Sequence, residues 1–262
     1  MTDQADDSRG ALIGPEWPEI LRKVRASTPA RLLTGRAGAA YRTATQLELR
    51  EAHAAARDAV RAEMELEAAF GAEFVKRFGL FEISTRAASK DKFLLRPDLG
   101  RRFDDAARAE LARRCARGAD LQIAIGDGLS VTAVAAQVPA SLPLLVEGAA
   151  ARGWSVGQAF AIRHCRVGIL NEIGELLAPR VSVLLIGERP GLATAESLSA
   201  YMAYRPNAAH TDANRNLISN IHARGWSARE AAGRILNLAA VMMRAQLSGS
   251  TVREELPSLK RT

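Results

Sequence analysis

Two carboxylates stand where strand-like runs end: Asp127 between Gly126 and Gly128 in LQIAIGDGLS, and Glu188 just after Gly187 in VSVLLIGERPGL. In an open α/β sheet this margin, beyond the carboxyl ends of the strands, is where ligands bind. An ionised acceptor there suits a ligand rich in hydrogen-bond donors such as amides, because a charge-assisted bond is roughly twice as strong as a neutral one. Structural roles compete with that reading. Glu188 can pair with Arg189, Arg205 or Arg215, and Asp127 can cap the helix that follows. An anionic nucleotide fits poorly: GDGLSV carries Val131 in place of the third glycine of a dinucleotide fingerprint, and Asp127 would repel a pyrophosphate. GERPG likewise lacks the lysine and hydroxyl of a phosphate loop.

No self-contained catalytic set accompanies these turns. The sequence has no GxSxG elbow, no HExxH and no carboxylate pair of catalytic spacing, and His53, His164, His210 and His222 stand in unrelated contexts. Cys115 and Cys165 are too few and too far apart for a disulfide framework or a zinc site, and they read as free thiols of a reducing compartment. His164 beside Cys165 is a poor ligand pair, since neighbours on a strand point to opposite faces. The expected catalytic and metal-ligating sets in this chain are therefore empty.

Elements that could position the two turns follow from periodicity. Residues 1–28 read as an arm, with Trp17, Ile20, Leu21 and Val24 on one face of a short helix. Residues 29–118 read as mainly helical: Thr43 to Gly79 lacks proline and carries Leu66, Phe70, Phe74 and Phe78 at i+4 spacing, and helix resumes from Asp104 to Arg117. From residue 119 to 262 the grammar becomes α/β. LQIAIG, QAFAIR, VSVLLIG and LSAYMAY alternate with helices from Ser130 and around Leu170 to Leu177, which indicates a Rossmann-like domain with a mostly parallel sheet. Ser227 and Glu230 form a capping box that opens a final helix.

The chain is 48% hydrophobic and 25% charged, ordinary for a globular protein. No apolar run approaches the ~18 residues of a membrane span, and the polar, acidic MTDQADDSRG is unlike a secretory signal. A cytoplasmic protein is expected. The net charge of +7 is spread over both halves. Only Arg86 to Arg102 is locally basic, with six bases against two acids and one aromatic, Phe93, which reads as a solvated or subunit-facing surface before it reads as an RNA groove.

Eight stretches in order then resemble the small (light) subunit of ethanolamine ammonia-lyase: GRAGAAYRT at Gly35, AHAAARDAV at Ala52, LLRPDLGRRF at Leu94, GDGLS at Gly126, Arg166–Val167, NEIGELL at Asn171, LLIGERPGL at Leu184 and TDANRNLISNI at Thr211. The resemblance covers about residues 31 to 248. It implies a partner role in an adenosylcobalamin-dependent lyase that converts ethanolamine to acetaldehyde and ammonia. The large subunit, a TIM barrel, would hold substrate, while the small subunit covers part of the cobalamin, several 1:1 pairs forming a larger oligomer. Homolysis of the cobalt–carbon bond would give the deoxyadenosyl radical that abstracts substrate hydrogen, the cofactor supplying the chemistry and the protein the position. By resemblance, the cobalamin contacts fall on Val167, Glu188 and Leu217. Leu217 departs from the resemblance, which implies cysteine at this position; leucine shares its apolarity but not its hydrogen bonding. No histidine lies in an Asp-x-His-x-x-Gly context, so the cofactor is expected to keep its own dimethylbenzimidazole on cobalt. Similar arms direct some relatives to a microcompartment, and for residues 1–28 that reading stands level with simple packing. Neither nucleic acid nor membrane is an expected partner. The competing reading is a stand-alone α/β module for a nucleotide or RNA.

Overall fold

The computed structural model describes residues 18–28, 30–32, 34, 36–191 and 194–254. Helix α1 (Glu19–Ala26) buries none of its residues, and Ile20 and Val24 stay exposed. Trp17 lies outside the described residues. A two-stranded hairpin, β1 (Arg36–Ala37) with β2 (Ala40–Tyr41), leads into α2 (Thr43–Arg61), which buries only Thr45 and Ala59. The expected long helix is broken twice. After α2 come α3 (Leu66–Phe70) and α4 (Ala72–Phe78), separated at Gly71, whose φ of 81° an α-helix does not accommodate. The aromatic ladder survives the breaks, with ring centroids 5.8 Å apart for Phe70 and Phe74 and 4.7 Å for Phe74 and Phe78, packed on the core.

The main sheet has six strands: β3 (Glu82–Ser84), β4 (Leu121–Gly126), β5 (Phe160–Arg163), β6 (Val181–Gly187), β7 (Leu198–Tyr204) and β8 (Asn216–Ile221), in the order β3-β5-β4-β6-β7-β8. β3, β5, β4 and β6 run parallel, while β7 and β8 are antiparallel to their neighbours. Every residue of β4 and β6 is buried, which is why these segments read as unbroken apolar runs.

Helices cover both faces. α7 (Val131–Ala150) and α9 (Ala228–Ala245) lie on one, with Val134, Val138, Leu142, Ile235 and Met242 in its core. α7 is long and apolar enough to span a membrane, but seven of its side chains are buried against the sheet and α9, which accounts for its composition without a bilayer. α6 (Asp105–Arg114) and α8 (Ile169–Leu177) occupy the opposite face with Leu111, Ile169, Ile173, Leu184 and Ile186. α5 (Lys90–Leu95) precedes α6 and buries Phe93 completely. The basic Arg86–Arg102 stretch is thus not all solvated surface, since Lys90 is only 8% exposed.

The pleat separates two roles on the antiparallel strands. Leu198, Ala200, Met202 and Ile218 point into the core beneath α9. Tyr201 and its register partner Leu217 point the other way, where Tyr201 is half-buried and Leu217 is 46% exposed. That part of the sheet forms an open floor.

Candidate functional site

The two acidic turns have different fates. Asp127 is completely buried, and its oxygens accept the backbone N–H groups of His164 and Cys165, each at 2.8 Å. The Lys90 ammonium lies 3.4 Å away as its counter-charge. Asp127 therefore does not cap α7, a role taken by the Ser130 hydroxyl, which accepts from the Ala133 N–H at 3.2 Å. It ties down the turn after β5, where His164 adopts a φ of 56°. The glycines around it are structural as well. A Cβ on Gly128 would lie 2.2 Å from the Gly187 carbonyl, and the Leu129 N–H donates to that carbonyl at 3.0 Å. The GDGLS and GERPG turns thus interlock, and Gly128 and Leu129 border the hollow that Glu188 faces.

Fixing the 164–168 turn positions Arg166, Val167 and Gly168, the last being the uncapped N-terminus of α8. The LLRPDLGRRF segment docks here: the Arg166 N–H donates to the Gly100 carbonyl at 2.8 Å, and the Arg166 guanidinium stacks 4.2 Å from the Phe93 ring centroid. Buried Glu172 of α8 accepts from the Phe103 N–H at 2.7 Å and from Arg108 Nε at 2.8 Å. Three of the sequence motifs thereby form one bracket beside the sheet.

Glu188 is half-exposed and faces a hollow of about 210 Å³ shared with Val167, Arg166 and Tyr201. Tyr201 lines the same hollow as Glu188, and burial followed by that negative charge pushes its pKa up, so the hydroxyl keeps its proton. A second hollow of about 470 Å³ continues from it, lined by Val167, Tyr201, Leu217, Arg101, Arg166 and Arg215. Val167, Glu188 and Leu217, from three separate segments, thus surround one groove with Tyr201 between them. Sequence reasoning missed Tyr201 as a site residue, while Arg101 and Arg166 entered only through their motifs and Arg215 only as a candidate ion-pair partner of Glu188. Tyr201 had a readable signal, because in LSAYMAY it falls out of phase with Leu198, Ala200 and Met202.

The groove mixes apolar floor, acceptor and donors. Burial lowers the pKa of Arg166, aided by the charge of Arg189, and burial likewise lowers that of Arg215. The Nε atoms of both are buried without a hydrogen-bond partner. His210, at the groove's far end, is held below the usual imidazole range by burial and by Arg215. On the other side of the bracket, Glu63, Asp127 and His164 bring ligand-type atoms within 4.8 Å of one another. The Asp127 oxygens already accept three donors there, and Lys90 fills the cation's role.

Comparison with known proteins bears on this groove. Residues 18–253 match the family model described as ethanolamine ammonia-lyase light chain (EutC). Among curated relatives, the ethanolamine ammonia-lyase small subunit of Clostridium perfringens is 41% identical over 235 residues, which is 90% of this chain and 78% of the relative. The subunits of the same name from Fusobacterium nucleatum and Clostridioides difficile are 40% and 39% identical over the same shares.

Proposed function

The chain belongs to the ethanolamine ammonia-lyase light chain family, and from that premise we propose that its groove holds part of an adenosylcobalamin at the contact with a large subunit. The observation that carries this reading is the gathering of Val167, Glu188 and Leu217 with Tyr201 around one opening, beside α8, that no helix closes among the described residues. The groove fits a corrin rim in chemical kind. Glu188 is an acceptor for amide N–H groups, and Val167 and Leu217 offer apolar surface to the macrocycle. Leucine in place of the cysteine that the resemblance implies keeps the apolar contact and gives up any hydrogen bond at that position.

When bound, adenosylcobalamin supplies the radical chemistry by which ethanolamine becomes acetaldehyde and ammonia. This chain's residues orient the cofactor and exclude water from its edge. The substrate, its pocket and the barrel that encloses it belong to the large subunit, and several pairs of the two chains build the working oligomer. The chain contributes no acid, base or nucleophile to the reaction.

The test is a cobalamin titration of the chain co-expressed with its large subunit, for wild type and Glu188→Gln. The substitution keeps shape and removes charge, so about a tenfold loss of affinity is expected. An unchanged affinity, or ethanolamine turnover by the large subunit that is the same with and without this chain, overturns the reading.

A further inference from the structure

Four guanidiniums, those of Arg101, Arg166, Arg189 and Arg215, line the groove against two carboxylates, Glu188 and Asp212. Among the described residues, no carboxylate lies within ion-pair distance of Arg101, Arg166 or Arg189. Arg215 is bound on one side by Asp212 and, at 3.1 Å, by Asn171, yet its side chain is only 5% exposed and its Nε has no partner. Buried donors without acceptors and like charges crowded together both cost free energy. Gly168, at the start of α8, lines the same hollow, although the Ile169, Leu170 and Asn171 N–H groups already donate to the carbonyls of Arg166, Val167 and Gly168. A neutral, amide-fringed ring explains Glu188 but not this excess of positive charge.

We propose that Arg101, Arg166 and Arg215 grip the phosphodiester of the cobalamin's nucleotide loop. This rests on the corrin lying against Val167, Glu188 and Leu217. The same hollow that holds Val167 and Leu217 also holds the three arginines, and the phosphodiester is the one anionic group such a cofactor carries. The groove then divides its labour: the Glu188 end reads amides, and the Arg215 end reads phosphate.

The test uses three corrinoids on the complex of this chain with its large subunit: cyanocobalamin, dicyanocobinamide, which lacks the phosphate, and dicyanocobinamide phosphate. Bound corrin is measured by absorbance after gel filtration. For wild type, the two phosphate-bearing corrinoids bind about tenfold or more tightly than cobinamide, and their affinity falls with salt. Arg215→Gln and Arg101→Gln erase that preference and leave cobinamide affinity within about twofold. Arg101 is exposed, so its variant is not confounded by folding. Equal loss for all three corrinoids, or no loss for any, overturns the phosphate assignment while leaving the corrin site in place, and the arginines then serve the partner subunit's carboxylates. Failure of wild type to bind any corrinoid overturns the proposed function, and this assignment with it.

Discussion

Asp127→Ala is expected to be among the most damaging single substitutions in this chain. It deprives the buried N–H groups of His164 and Cys165 of their acceptor and strands the Lys90 ammonium, itself only 8% exposed. An orphaned buried donor costs about 1–3 kcal/mol, and breaking a buried ion pair about 3–5 kcal/mol. These overlap rather than add, since part of the pair's loss is the same desolvation, and a total of about 4 kcal/mol follows. Against a native stability of roughly 5–15 kcal/mol, that is a large fraction. With a urea slope of about 3 kcal/mol per molar, the unfolding midpoint falls by about 1.3 M. The control is Lys90→Met, which also breaks the buried pair but leaves Asp127 accepting its two backbone bonds; it is costly too, yet less so than Asp127→Ala by the orphaned N–H groups, about 1 kcal/mol or more. Urea unfolding of wild type and both variants, followed by circular dichroism, decides the matter. If Lys90→Met costs as much as Asp127→Ala, the backbone N–H groups are not what Asp127 serves, and its assignment as the tie of the 164–168 turn is wrong.

Two further outcomes follow from titratable groups. Burial pushes the Cys115 thiol up to about 11, and burial with the charge of Asp127 pushes Cys165 up as well, so both stay protonated and slow to react. A disulfide-exchange reagent at pH 8 should label neither in the folded chain and both in denaturant, and fast labelling of the native protein would contradict their burial. Burial also raises the Glu82 pKa, opposed by Arg163 and reinforced by Glu65, Asp127 and Glu63. The folded state then binds its proton more tightly than the unfolded chain does, so stability falls as pH rises from the usual glutamate range through the raised value. Glu82→Gln should therefore be slightly more stable at pH 7, by less than about 1 kcal/mol given the partial exposure, and level with wild type near pH 4. A variant less stable at pH 7 than at pH 4 relative to wild type would reverse the sign.

The parts of the fold that were legible are those whose burial is uniform. LQIAIG and VSVLLIG are covered on both faces, so no alternation blurs them, and the Ser227–Glu230 box forms as its spacing predicts, with the Glu230 N–H on the Ser227 hydroxyl at 3.3 Å and the Ser227 N–H on the Glu230 carboxylate at 3.0 Å. NLISNI was not read as a strand because one of its faces is left open, so its apolar residues are sparse. EIS is too short to announce β3, which exists only because β5 lies ready to pair with it. The role of Asp127 was illegible for a related reason. Its acceptor duty is to N–H groups 37 and 38 residues away, and no local pattern reports them. The groove was half legible: motif resemblance placed Val167, Glu188 and Leu217, while Arg101 and Tyr201 join them only through the docking of distant segments.

By doubling back after Gly187, the chain adds β7 and β8 without the crossover helix that a further parallel strand would have required. The outcome is a shelf whose upper and lower surfaces answer to different selection. Substitutions at Leu198, Ala200, Met202 or Ile218 are felt by the interior, whereas the exposed Leu217 can be exchanged at little expense to folding, with the half-buried Tyr201 between these extremes. Descendants of this scaffold could retune what rests on the open side of the shelf while the packed side stays the same.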